Sequence, residues 1–243
     1  MKWFFLVLLF FAPLIRASAA DDETARAFAD QGEWRSAAVV YEKMLDAHPL
    51  DPGLHYNLGL CLDEVGDVGH AVLAYERSLL LTPRASDARR NLVLLRESHS
   101  LPELGMGGKG LPAFTSWLST GEWQWLCVLA AIVMIGASWW CVLRASPQGR
   151  SFPLTLAVVA FWLMLGSAAV MHLRKGEEKR AVITATDASL LLSPFPSAEV
   201  ITACPPGSML VIKQAQGSFF YAEMLPQGTK GWLPQSSVQQ VSF

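Results

Sequence analysis

The sequence predicts a multidomain membrane protein: an all-α repeat module of α-solenoid type, a transmembrane α-helical hairpin and a small all-β barrel. Three observations predict it. Two stretches, Gln124–Leu143 and Pro153–Met171, contain no Asp, Glu, Lys, Arg or His, and each approaches the ~20 apolar residues that a helix needs to cross a bilayer. Ahead of them, residue types recur at a fixed helical-repeat period. Behind them, helical periodicity gives way to short β-rich runs divided by Pro and Gly.

Composition sets the limits. The hydrophobic fraction of 52% is concentrated in the two apolar stretches and the N-terminus, and the formal net charge of −2 offers no field for nucleic acid. Cys127 and Cys141 lie within the first apolar stretch, while Cys61 and Cys204 fall in different polar segments. That spacing contains no CxxC and no Cys/His cluster, so neither a disulfide framework nor a metal or other cofactor is expected.

The chain opens with a basic Lys2, an apolar Trp3–Ile15 and the small-residue run Ala17-Ser-Ala-Ala20 before acidic Asp21-Asp22-Glu23. This order favours a cleaved signal peptide over residues 1–20, ahead of an uncleaved anchor. Either reading delivers the following segment outside the cytoplasm, into a periplasm if the host is bacterial.

Residues 21–98 form the repeat module. Gly32, Ala37, Tyr41 and Pro49 recur as Gly66, Ala71, Tyr75 and Pro83, and each pair is 34 positions apart (66 − 32, 71 − 37, 75 − 41, 83 − 49). Gly59 and Ala71 are small enough for two antiparallel helices to approach closely, and Tyr56, Leu58, Leu62, Val72, Tyr75 and Leu79 recur at helical spacing to fill the seam. Gly66-Asp67 makes the turn and Pro83 ends the second helix. Ser86–Glu97, with Ala88, Leu92 and Leu95 on one face and Arg89, Arg90 and Arg96 elsewhere, has the polar back of a capping helix.

The 34-residue period and the run His55-Tyr-Asn-Leu-Gly-Leu-Cys-Leu62 resemble tetratricopeptide repeats. The resemblance implies a peptide- or protein-binding groove lined by first helices. Matched position by position, Arg26 and Asp30 in the first repeat and Tyr56, Leu60, Asp63 and Glu64 in the second would face it. Packing as simple core is the alternative for Tyr56 and Leu60. Two repeats and a cap fall short of the usual three, so the module is expected to need a partner or its own oligomer for stability.

Residues 99–116, rich in Gly and Pro, read as a flexible linker. Phe114, Trp117, Trp123 and Trp125, with Trp139 and Trp140 at the far end, place aromatic side chains where lipid headgroups favour them. A short interfacial helix is expected over Ala113–Thr120. Residues 117–173 are the hairpin, with small residues such as Ala130, Gly136, Ala137, Gly166 and Ser167 available for helix contact. Its bridge carries Arg144 and Arg150, which favours a cytoplasmic bridge, whereas Arg174, Lys175, Lys179 and Arg180 after the second span favour the opposite sense.

From Ala181 to Phe243, strands are expected at 181–185, 190–192, 209–213, 219–224 and 238–241. Gly231-Trp-Leu-Pro234 with Ser237-Val238, and Pro206-Gly-Ser-Met-Leu-Val211, resemble the closing motif and central strand of bacterial SH3 domains. That resemblance implies an aromatic-edged groove for peptidoglycan or protein, with Phe219, Tyr221 and Trp232 as its residues. Phe220 is then core by alternation, and packing of the barrel is the other reading of Trp232.

The order of parts, with Leu111-Pro-Ala-Phe-Thr-Ser-Trp-Leu118 before the first span, resembles the BatE-like proteins of the bacterial Bat (aerotolerance) group. The resemblance implies an inner-membrane, two-pass protein with both modules in the periplasm, working with von Willebrand factor A-domain membrane proteins and a MoxR-type AAA ATPase. The expected function is non-enzymatic scaffolding, with wall sensing or anchoring through the β domain as the alternative. No G-x-S-x-G, HExxH, P-loop or dinucleotide fingerprint occurs, and the five His are scattered.

Overall fold

The computed structural model describes residues 21–102, 118–143, 151–174 and 179–243. The expected signal peptide, most of the linker and the Arg144–Arg150 bridge lie outside the described residues. So does most of the expected interfacial helix. The chain forms two units: the described residues up to Pro102 together with those from Lys179 onward, and the α-hairpin.

The first unit begins with five helices: α1 (residues 21–30), α2 (Trp34–Ala47), α3 (Pro52–Val65), α4 (Val68–Leu81) and α5 (Ser86–Ser98). The period read from sequence reappears in the boundaries. Helix α4 starts and ends 34 residues after α2 (68 − 34, 81 − 47), and α5 starts 34 after α3 (86 − 52). The turns follow local chemistry. Gly32 and Gly66 take left-handed backbones at φ 78° and 82°, which only Gly adopts without cost. Pro52 occupies the first turn of α3 while Asp51 accepts from the amides of Gly53 and Leu54. Asp67 accepts from the His70 amide at the start of α4.

Helix packing depends on small residues, as expected. A methyl group placed on Gly59 would lie 2.8 Å from the Tyr75 ring, so α3 and α4 meet there at a distance only Gly permits. Leu58, Leu62, Val72, Tyr75 and Leu79 are buried between the helices, and Ser78 donates to the Pro52 carbonyl across the seam at 2.9 Å.

The remaining strands are β1 (Arg180–Ile183), β2 (Ser189–Leu191), β3 (Val200–Ala203), β4 (Met209–Gln216), β5 (Phe219–Met224), β6 (Lys230–Pro234) and β7 (Val238–Gln240). They form one antiparallel sheet in the order β3-β2-β6-β5-β4-β1-β7. The expected barrel is therefore open, with β3 and β7 at its edges. The β7 edge is turned to another use, because the Gln240 carbonyl accepts from Arg77 Nη2 of α4 at 2.9 Å. Strand β3 was not expected, and its Val200 and Ile201 remain exposed. One face of the sheet buries Ala181, Ile183, Leu190, Leu210, Ile212, Ala222, Met224 and Leu233 in a single core.

The other face, at β1 and β4, packs against α4. Val182 and Met209, cross-strand partners, are buried without belonging to that core. A methyl group on Gly69 of α4 would lie 2.8 Å from the Ile183 carbonyl oxygen, and one on Gly207 would lie 2.7 Å from Leu101. Leu101 is itself buried, so the segment read as a free linker begins as part of the packed unit. Arg96, read as solvated, is buried at 4% exposure. It pairs with the equally buried Glu76 at 2.6 Å and donates to Met209 Sδ at 3.1 Å. Helices and sheet, read from sequence as separate modules, share one interface.

The second unit pairs α6 (Thr120–Leu143) with α7 (Ser151–Arg174). Ser119 and Glu122 form a reciprocal capping box, with Glu122 Oε2 accepting from the Ser119 amide at 2.7 Å and Ser119 Oγ from the Glu122 amide at 3.2 Å. This sets the start of α6. Trp123, Cys127, Ala130, Met134, Ala137 and Cys141 line the contact from α6, and Pro153, Ala157, Ala160, Met164, Ser167 and Met171 from α7. Their alternating four- and three-residue spacing is that of a coiled-coil seam. Gly136 and Gly166 lie outside it, with open space where a Cβ would be. Trp123 is buried, so it faces the partner helix, while Trp125, Trp139 and Trp140 are exposed. Both helices are long and apolar enough to cross a membrane, with mean hydropathy 2.3 and 2.2.

Candidate functional site

Two surfaces carry the residues selected from sequence. On the helical surface, Tyr56, Leu60, Asp63 and Glu64 follow one another at four-, three- and one-residue steps along α3, which keeps them on one side of the helix. Tyr56 is half-buried and fixed from two directions. Its ring sits 6.1 Å from that of Tyr75, tilted by 50°, and its hydroxyl accepts from Asn91 Nδ2 of α5 at 3.4 Å. The side therefore faces α5, the next helix in the 34-residue scheme. Leu60 and Asp63 are half-buried and Glu64 is exposed.

Burial pushes the Asp63 carboxyl up, and the neighbouring Glu64 charge adds to this, while His99 at the end of α5 opposes it. Beneath them, burial and Glu64 push the Cys61 thiol up to about 11. That leaves Cys61 protonated at neutral pH and unsuited to nucleophilic work. Arg26 and Asp30 are exposed on α1, where Arg26 is paired with Asp22 at 2.7 Å. The surface thus offers an aromatic hydroxyl, an apolar patch and two carboxylates, a set suited to holding a peptide segment with basic or mixed charge.

On the sheet, β5 and β6 pair Tyr221 directly with Trp232. Their rings are 5.1 Å apart with a 50° tilt, and both are half-exposed. Phe219 shares their face by alternation but is only 8% exposed, so it supports the pair more than it offers surface. Phe220, on the opposite face, packs against the core as expected. Two positions along the same row, Glu223 lies 3.2 Å from Lys213 and 4.0 Å from Lys230. Lys213 reaches it from the residue where the β4–β5 register shifts, the unpaired position of a bulge. The aromatic pair provides a stacking face with a balanced charged border.

A third feature escaped sequence reasoning. A cleft of about 450 Å³ lies where α2 and the α3–α4 turn meet the β1–β2 loop, with Arg35, Val39, Glu42, Gly66, Thr184 and Thr186 among its walls. Its size is that of a small-ligand cleft. Val39 and Thr184 are 145 positions apart (184 − 39), so no local pattern announces it. Val39 lies within the apolar run Ala37–Tyr41 of α2, so nothing in the sequence marks it as the exposed member, at 61%.

Among the described residues no three His, Cys, Asp or Glu side chains gather into a metal-binding group. No protein-family model matches the chain, and no curated protein matches it significantly.

Proposed function

We propose that the chain is a non-enzymatic, two-pass membrane scaffold. It recruits protein partners through the α1/α3 surface of tetratricopeptide-type repeats, on the outer face of a bacterial inner membrane. The resemblance of its order of parts to BatE-like proteins supports a role in a Bat-type envelope assembly, with von Willebrand factor A-domain proteins and a MoxR-type ATPase as partner classes. One observation carries the reading. Segments from before and after the apolar hairpin fold into one unit, and a packed unit cannot be shared between opposite sides of a bilayer. Two crossings return the chain to the side it left, which supports a hairpin that anchors a single assembled head.

Because the sheet depends on the helices, deleting the repeats would damage both. The appropriate variant alters the surface alone: Tyr56→Ala combined with Glu64→Lys in the full chain. Crosslinked co-purification from native membranes is expected to lose its main partners while the protein stays inserted. Partners retained at wild-type level would exclude this face as the recruiting surface.

The half-exposed Tyr221–Trp232 pair favours a second reading, in which the bacterial SH3-like sheet holds peptidoglycan by stacking. Full-length protein in detergent should then sediment with purified sacculi, and Trp232→Ala should release it. Equal sedimentation of the two proteins, or none of either, removes wall binding.

A further inference from the structure

The hairpin joining β2 to β3 exposes a cluster of large apolar side chains. Leu192, Phe195, Val200 and Ile201 are 64%, 63%, 56% and 42% exposed. The β2–β3 register shifts here, with Val200 paired to Leu191 and Ile201 left as the unpaired residue of a bulge, so both side chains stay largely in the open although Ile201 reaches over Gly231. From Ser189 to Cys204 the only charged side chain is Glu199. Such a cluster lies among the apolar surfaces that mark interaction sites. A lipid interface accepts such a cluster by apolar burial alone, with no matching polar groups required.

Part of the tip's backbone is satisfied within the tip itself. Pro194 and Pro196 have no amide hydrogen to satisfy. The amides of Leu192, Phe195 and Ala198 donate to the carbonyls of Glu199, Ser193 and Phe195 at 2.9, 2.8 and 3.1 Å. The open edge of β3 is excluded from the hydrocarbon core, so the tip suits the interface, where water still reaches that edge. The chain also limits how far this unit can travel from a membrane. Only residues 175–179 separate α7 from β1, a leash of roughly 20 Å at ~3.5 Å per residue.

We propose that the β2–β3 tip is a membrane-contact element, with Leu192, Phe195, Val200 and Ile201 dipping into the interfacial region of the bilayer that the hairpin crosses. It rests on the spanning reading of α6 and α7. The occupant is the lipid surface itself, held by apolar burial and not by headgroup charge, since the tip carries no basic residue. Contact at this third point would restrict the swing of the head and fix which of its faces partners meet.

The test uses the full-length chain in phosphatidylcholine vesicles, with a photoreactive benzoylphenylalanine introduced singly at Phe195, at Gln216 on the exposed β4–β5 turn, or at Leu129 on the outer side of α6. After irradiation, a mass increase of one phospholipid is expected at Phe195 and Leu129 and not at Gln216, with no gain on adding phosphatidylglycerol. An adduct at Leu129 without one at Phe195 overturns the tip assignment and leaves the spanning hairpin intact. Lipid at Phe195 only when phosphatidylglycerol is present, or equally at Phe195 and Gln216, overturns it too. A Phe195 adduct to a second protein chain replaces lipid with a protein contact. Absence of lipid at Leu129 sinks the spanning reading, and the tip proposal as framed with it.

Discussion

His55 stands where a tetratricopeptide pattern has Trp, and the structure gives it a different task. It is 3% exposed, its Nε2–H donates to the Pro49 carbonyl at 2.9 Å, and its ring lies 5.3 Å from Phe243. Nε2 must be the protonated nitrogen, since a carbonyl only accepts. Its Nδ1 is buried without a partner. Burial is the main force lowering the pKa of this imidazole, and the Arg77 charge assists, against opposing contributions from Pro49 and Asp51. The unfolded chain therefore binds the proton more readily than the folded one. Stability is complete above the unfolded value of about 6.5 and falls as pH drops below it. His55→Gln keeps a donor for Pro49 but cannot charge, so its melting temperature should change less than wild type's between about pH 5 and 7. Parallel melting profiles for the two proteins would mean that the imidazole is not the group responsible.

Helix α4 is the element most changed by the structure. Its seam toward α3 was legible, because Val72, Tyr75 and Leu79 keep helical spacing. Its second buried side was not, although the signal was present: Val68, Leu73 and Ala74 make the helix apolar nearly all round, the mark of a helix covered on two sides. The strands told the same story. Ala181-Val-Ile183 and Met209-Leu-Val-Ile212 are unbroken apolar runs, as in sheets buried on both faces, and not the alternation of a sheet with one wet face.

Charge concealed the contact. Glu76 and Arg96 look like surface residues in sequence, but their pairing is a property of the fold, 20 positions apart on different helices and closed over by Met209. Arg96→Ala leaves Glu76 buried alone and should cost about 3–5 kcal/mol. Glu76→Leu with Arg96→Met removes both charges and should return most of that loss. Chemical denaturation of the three proteins checks this, and equal losses in the single and double variants would show that the pair is not the source.

For the whole molecule, the period, the two apolar stretches and most strands were readable because each is local. The joining of the flanks and the cleft were not, because each depends on residues more than a hundred positions apart, and the open sheet was not, because it depends on non-local pairings such as Leu191 with Trp232, 41 positions apart (232 − 191). The same joining requires that the sheet share a side with the helices if the hairpin spans a membrane. Arg174, Lys175, Lys179 and Arg180 favour a cytoplasmic sheet, but Arg77 on Gln240, His55 on Phe243 and Gly69 on Ile183 hold that sheet to the repeats. Local charge bias is a preference of insertion, whereas splitting the unit would expose an entire buried face. Alkaline phosphatase fused after Phe243 and, in a separate protein, within the exposed Gly217-Ser218 turn should be active in both. Activity in neither would place the head in the cytoplasm, and any disagreement between them would contradict a single unit.

Order of synthesis gives the Glu76–Arg96 face a further significance. The helices are complete once Ser98 has been made, yet the strands that cover α4 follow only after both apolar helices and arrive in full at Gln240. At typical elongation rates of 5–20 residues per second, those ~140 residues take roughly 7–28 s. During that interval the newborn head carries an uncovered apolar helix beside two unshielded charges. It is then most open to aggregation, proteolysis or capture by a chaperone, so maturation of this protein is complete only when its last strand closes on a surface made long before.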